Sequence, residues 1–208
     1  MSYRFEIITG PIYSGKTEEL LKRVKRIIIS QKNVVLFLPL LKNQYEKDYI
    51  ESQSGLWIEA KSIASANDIL KIIENQKIDA VAIDDLHLFD KNIIKVILRL
   101  ISQGKKVIGA GLDLDFKCEP FGFMPELLAL ADKVDKLTAI CRICHSEYAV
   151  RTQRLINGLP AKKNTPSVID ENLKETFEPR CLSCYNLPDD DIINPKKCNL
   201  KLITFSHN

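Results

Sequence analysis

Phe5-Glu6-Ile7-Ile8-Thr9 runs directly into Gly10-Pro11-Ile12-Tyr13-Ser14-Gly15-Lys16-Thr17, and Glu18-Glu19-Leu20-Leu21-Lys22-Arg23-Val24 follows. The apolar run predicts a buried strand. Leu20, Leu21 and Val24 on one face predict a helix. Between them stands a complete G-x-x-x-x-G-K-[ST] pattern. Gly10 and Gly15 let the backbone curl through Ser14 so that N–H groups point inward at a phosphate. Lys16 supplies a point charge for the β- and γ-phosphates, and the Thr17 hydroxyl is placed to ligate Mg²⁺. The helix that opens there aims its N-terminus at the same phosphates. The same pattern in an isolated loop is a plain turn; between a strand and a helix it predicts a site for ATP.

The chain beyond continues the alternation. Asn33 to Leu38, Ile78 to Ile83 and Lys106 to Gly111 are near-continuously apolar and read as buried strands. Ala66 to Asn75 and Ile93 to Ile101 carry apolar residues at helical spacing. Strand–helix alternation of this kind predicts an α/β fold, a parallel sheet covered by helices on both faces. Ligands bind such sheets at the carboxyl ends of the strands. The polar residues fall there: the phosphate loop after the first strand, Asp84-Asp85 after a middle one, Asp113 and Asp115 after a later one.

Bulk properties exclude several classes. The 208 residues hold one full domain and a small second one. A formal net charge of +3, with Lys and Arg scattered, gives no case for direct nucleic-acid binding. No apolar stretch is long enough to span a membrane. Met1-Ser2-Tyr3-Arg4 has no secretory core, so the chain is expected in the cytoplasm.

Of six cysteines, four form two C-x-x-C pairs, Cys141/Cys144 and Cys181/Cys184. Two such knuckles predict a closed tetrahedral zinc site, which is structural because no coordination position stays open. Redox pairs and plain buried thiols are the alternatives. Cys118 and Cys198 have no partner in the pattern. The chain divides at about residue 135: a nucleotide-binding part over 1–135, a zinc-held module over 136–195 and a tail over 196–208, where Leu200 to Phe205 has the pattern of an edge strand.

Asp84 is positioned to hold Mg²⁺ directly or through water, or else caps the next helix. Asp85 points elsewhere and can take the proton of an attacking alcohol, with capping again the alternative. His87 is either near the cofactor or a hydrogen-bonded structural residue. Phe116, Phe121, Phe123 and Met124 form an aromatic cluster that stacks on a base or packs as core.

Read together, these segments resemble the zinc-containing, cytosolic thymidine kinases. The resemblance runs from about Phe5 to Cys184. It rests on Gly10 to Leu21, on the loop Gly111-Leu-Asp-Leu-Asp-Phe-Lys-Cys-Glu-Pro-Phe-Gly-Phe-Met, on Ala131 to Cys141, on Arg151-Thr-Gln-Arg and on Glu178-Pro-Arg-Cys-Leu-Ser-Cys. It implies a RecA-like domain with a zinc-held lasso, a homotetramer, transfer of the ATP γ-phosphate to the 5′-hydroxyl of thymidine or deoxyuridine, and inhibition by thymidine triphosphate. It further implies that Leu112, Phe116 and Phe121 wall the thymine pocket with Thr152 nearby. Phe177 stands where the family usually has a tyrosine, and the backbone at Val168 and Ile169 meets the thymine edge.

The departures cluster on the acceptor side. Where the family has Asp-Glu-x-Gln-Phe-Phe, this chain has Asp84-Asp85-Leu86-His87-Leu88-Phe89. Asp85 is one methylene shorter than the family's base, and a misplacement of about 1 Å costs about 100-fold in rate. The segment that aligns with the family's Asp-x-Arg-Tyr is Lys42-Asn43-Gln44-Tyr45, and a usual Gly-Gly of the lasso is Asp170-Glu171. Two readings follow: a working kinase with Asp85 as base, or a nucleotide-binding relative with weak or lost transfer and a regulatory role.

Overall fold

The structure is a computed structural model and describes residues 4–40, 49–51, 55, 57–165 and 174–188. Lys42 to Tyr45, Val168 to Glu171, Cys198 and the Leu200 to Phe205 segment lie outside those residues.

Strand β1 (Phe5–Thr9) is buried along its whole length. Its side chains alternate between two cores: Phe5 and Ile7 pack on one face of the sheet and Ile8 on the other. Helix α1 (Lys16–Ile29) starts from Gly15 and buries Leu20, Leu21 and Val24 against the Ile8 face. Then come β2 (Val34–Pro39), β3 (Tyr49–Glu51), β4 (Trp57–Glu59), β5 (Lys61–Ile63), α2 (Asn67–Ile73) and β6 (Ala80–Ile83). A short 3₁₀ turn over Leu86–Leu88 precedes α3 (Asn92–Ser102), β7 (Lys106–Gly111), α4 (Met124–Leu130) and β8 (Lys133–Lys136). Helix α3 presents Ile93, Val96, Ile97 and Leu100 to the core, one stripe at helical spacing.

Six strands form one sheet in the order β5-β2-β6-β7-β1-β8, and every pairing is parallel. Helix α1 covers one face; α2, α3 and α4 supply the core of the other. The α/β class expected from the alternation is the fold observed. Helix α2 is shorter than the Ala66 to Asn75 pattern, and β5 and β8 extend the sheet beyond the strands read from apolar runs.

A smaller antiparallel sheet follows, with β9 (Arg151–Ile156) between β10 (Leu159–Pro160) and β11 (Glu175–Arg180). Beside it the two cysteine knuckles pack with Ala139 and Ala149 in a separate apolar cluster. Among the described residues, strands β3 and β4 pair only with each other. None of the described helices is long and apolar enough to cross a membrane.

Candidate active site

The phosphate loop leaves the carboxyl end of β1 with two glycines in conformations that other residues avoid. Gly10 has φ +143°, and a Cβ there would lie 2.4 Å from the Leu137 carbonyl oxygen and 3.0 Å from Ser14 Oγ. Gly15 has φ +80°, the left-handed turn from which α1 begins. Lys16 curls back over the loop, and its Nζ donates to the Pro11 carbonyl at 2.6 Å and weakly to Ser14 Oγ at 3.5 Å. Burial pulls the Lys16 ammonium below its usual range, against the attraction of Asp84, Asp85 and Asp113. A desolvated ammonium whose close hydrogen-bond partner is a backbone carbonyl, with no carboxylate bonded directly to it, is suited to a phosphate oxygen.

Thr17 Oγ1 donates to Asp84 Oδ2 at 2.9 Å, across 67 residues of chain. This pair joins the first turn of α1 to the carboxyl end of β6. Asp84 is buried, its other oxygen accepts the Asp85 N–H at 3.0 Å, and burial first and the Asp85 charge second push its carboxyl up to about 7. A buried carboxylate beside a hydroxyl and a lysine fits the donor set of Mg²⁺. The capping role is absent at Asp84 and falls to Asp90, whose Oδ1 accepts the Asn92 N–H at the start of α3.

Asp85 opens the 3₁₀ turn in the left-handed region, at φ 47° and ψ 42°. Asp tolerates that region better than most side chains. Its side chain reaches solvent, yet protein crowds closely enough to raise its carboxyl; Lys16 opposes the rise. Asp113, at the end of β7, pairs with Lys136 at 2.6 Å and faces the same lysine.

His87 is buried, and its Nδ1 accepts the Leu112 N–H at 3.2 Å. Its ring meets Phe121 edge to face, 4.5 Å between centroids. Burial first, then the Lys16 charge, lower its pKa to about 3, so the ring is neutral. Of the four residues in the aromatic cluster, Met124 is fully buried core and Phe123 packs against that core, whereas Phe116 and Phe121 are half-buried. Core packing thus accounts for Met124 and Phe123 and leaves Phe116 and Phe121 partly open.

The small sheet comes over the same end. Thr152 Oγ1 accepts the Ile12 N–H of the phosphate loop at 3.1 Å, which ties β9 to the nucleotide side. Phe177 is directly opposite Arg154 in the β9–β11 pair, so the two share a face. The Arg154 guanidinium lies 5.0 Å from the centre of the Phe116 ring and is ion-paired with Glu175. Tyr185 Oη donates to the Phe116 carbonyl at 2.5 Å. Arg154 closes the Arg151-Thr-Gln-Arg segment but residue patterns give it no role, and they do not single out Tyr185; an aromatic directly after a knuckle cysteine is its local hint.

The four thiols of Cys141, Cys144, Cys181 and Cys184 lie within 4.8 Å of one another, with Cys144 and Cys181 sulfurs 3.6 Å apart. A tetrahedron with Zn–S bonds of about 2.3 Å has edges of about 3.8 Å, so the set fits a zinc ion. The separations are far longer than a disulfide bond. Burial works to raise the Cys141 thiol, but surrounding N–H groups prevail and hold it at about 6, ready as a thiolate ligand.

A cavity of about 550 Å³ lies at the opposite, amino-terminal end of the strands, lined by Arg4, Glu6, Arg23, Arg26, Lys106 and Lys133 among others. Part of its charge is paired: Glu6 bonds Arg23 at 2.9 Å and Lys106 at 2.5 Å, and the nearby Asp135 bonds Arg23 at 2.6 Å and Lys133 at 2.7 Å, but basic side chains outnumber carboxylates in its lining. It contains no phosphate loop or acceptor, so the chemistry belongs to the Lys16 end.

A parallel sheet with a phosphate loop at its carboxyl edge, a Thr–Asp pair for a cation and a base candidate beside them defines a P-loop nucleotide-binding protein. The thymidine kinase family model matches residues 3–185, and the chain belongs to that family. Among solved structures, domain III of the replication initiation protein DnaA from Thermotoga maritima is similar at 15% identity and a TM-score of 0.41, over 65% of this chain and 55% of that one. A DNA replication initiation factor is similar at 13% identity and a TM-score of 0.38, over 65% of this chain and 40% of that one. This chain therefore spans little more than half the length of these structures, or less.

Proposed function

We propose that the protein is a thymidine kinase, transferring the γ-phosphoryl group of ATP to the 5′-hydroxyl of thymidine or deoxyuridine. The observation that carries this reading is the 2.9 Å Thr17–Asp84 bond beside Lys16, with Asp85 one residue on and open to solvent. The phosphate loop and Lys16 bind and orient the triphosphate; Thr17 and Asp84 hold Mg²⁺. Bound there, Mg²⁺ neutralises charge on the phosphate oxygens. The nucleoside lies against Leu112, Phe116 and Phe121, with Phe177 on the facing small sheet; by the family resemblance its thymine edge is assigned to the backbone at Val168 and Ile169, which lie outside the described residues. Asp85 accepts the proton of the 5′-hydroxyl as its oxygen bonds to phosphorus. The bond to the β-phosphate oxygen breaks in the same displacement, and ADP leaves with that electron pair. Zinc bound to the four cysteines is structural. The reading extends to the three-part division at residues 135 and 195, a homotetramer, a cytoplasmic location and inhibition by thymidine triphosphate.

A second reading is a nucleotide-binding relative with weak transfer. It is favoured by the turn after Asp84: Asp85 is short for the family's base, and Leu88 is exposed where the family has an aromatic. The deciding experiment is ATP- and Mg²⁺-dependent phosphorylation of thymidine, deoxyuridine and deoxycytidine by the purified protein and by Asp85→Asn. Turnover that falls at least about 100-fold in the variant, with ATP binding kept, supports the kinase. ATP binding with no turnover in either protein supports the second reading.

A further inference from the structure

We propose that His87 is a positioning residue for the acceptor loop, stapling both ends of the 112–121 hairpin to the turn that carries Asp85. The hairpin closes on itself through the Leu114–Pro120 bridge, the Asp115 N–H on the Glu119 carbonyl at 2.9 Å and the Phe121 N–H on the Asp113 carbonyl at 3.0 Å. Internal bonds of this kind fix its shape but not its position over the phosphate loop. Tyr185 and Arg154 hold its tip at Phe116 and Lys136 pairs with Asp113, while His87 ties its two ends to the turn that carries Asp85. At the hairpin's entry, Nδ1 accepts the Leu112 N–H at 3.2 Å. At its exit, the imidazole meets the Phe121 ring, and Gly122, at φ +54°, brings its backbone so close that a Cβ would lie 2.5 Å from the His87 carbonyl oxygen. Gly111 leaves the space on the other side, where a Cβ would approach Nδ1 to 3.2 Å.

A nitrogen that accepts a hydrogen bond carries no proton, so the neutral ring holds its proton on Nε2. The Lys16 charge and burial both favour that neutral form. The acceptor is needed at the δ position of the side chain, which histidine and asparagine provide and glutamine, the family's residue, does not. This inference rests on the reading that Leu112 and Phe121 wall the nucleoside pocket.

The test compares His87→Leu, which keeps apolar bulk without an acceptor, with His87→Asn, which restores an oxygen near the place of Nδ1. Two readouts are taken: amide hydrogen exchange at Leu112, and Michaelis constants for thymidine and ATP separately. His87→Leu is expected to lose Leu112 protection by about five- to tenfold and to raise the thymidine KM by a similar factor, with the ATP KM within about twofold. His87→Asn recovers most of both. Unchanged Leu112 exchange in His87→Leu, or an asparagine variant no nearer wild type than the leucine one, overturns the proposal. If wild type does not phosphorylate thymidine, the kinase reading fails, and the exchange measurement still decides whether His87 holds the loop.

Discussion

Replacing Tyr185 with phenylalanine should loosen thymidine and leave ATP alone. Tyr185 follows the last knuckle cysteine, and its own N–H donates to the Cys181 carbonyl at 3.0 Å. From that anchor its hydroxyl reaches the Phe116 carbonyl at 2.5 Å, 69 residues away in sequence. Burial first, then the neighbouring Cys118 thiol, push its phenol up, so it remains a hydrogen-bond donor across the working pH range. Phe116 is thus held by its backbone from the cysteine-knuckle module and over its ring by Arg154. Removing the hydroxyl deletes one neutral hydrogen bond, about 1 kcal/mol net, since the half-buried carbonyl can turn to water. That energy corresponds to about a fivefold change in an equilibrium constant. The assay is steady-state phosphorylation with thymidine varied at saturating ATP, then the reverse. We expect the thymidine KM to rise about fivefold, the ATP KM to stay within about twofold, and Tm to fall by about 2–4 °C. Stripping zinc with a chelator should give the same asymmetry more strongly, because the whole anchor goes. A Tyr185→Phe protein with lower Tm and unchanged thymidine KM would refute the coupling, as would equal rises for both substrates.

Two further outcomes follow from the same geometry. Asp84 has its folded pKa raised from 3.8 to about 7, so between those values the folded state binds more protons than the unfolded one and stability falls as pH rises. Asp84→Asn should therefore stabilise the ligand-free protein progressively from pH 4 to pH 8, by at most about 4 kcal/mol, while removing Mg²⁺-dependent ATP binding; a melting-temperature difference that does not vary with pH would contradict this. Gly10→Ala should cost about 3 kcal/mol or more, because its Cβ meets the Leu137 carbonyl at 2.4 Å and that residue is itself fixed by its N–H on the Thr9 carbonyl at 2.7 Å. Gly15→Ala, whose Cβ meets nothing within 4 Å, should cost only the left-handed backbone, about 1–2 kcal/mol; thermal unfolding of the two ranks them, and equal losses would show that the clash is relieved.

The parts of this protein legible in its sequence are those that one short segment encodes by itself. The phosphate loop is contiguous, and β1, β2, β6 and β7 are apolar enough to be read as strands because both of their faces are covered. Strand β8 was not readable as a strand: at the sheet edge it alternates half-buried and exposed residues, and Lys133, Asp135 and Lys136 are spent on ion pairs. The contacts that join the acceptor side span long stretches of chain: Leu112 to His87, Phe116 to Tyr185, Ile12 to Thr152. No periodicity marks such pairs. The structure also changes how the sequence departures count. Asp85, His87 and Leu88 look like three separate substitutions, yet they are carried by one 3₁₀ turn that begins at a left-handed Asp85. A longer acid at 85 would have to adopt a backbone that favours aspartate, while His87 two residues later holds the acceptor loop through that same turn. Length at 85 and acceptor position at 87 are therefore one geometric choice, and restoring the family's glutamate alone changes only half of it.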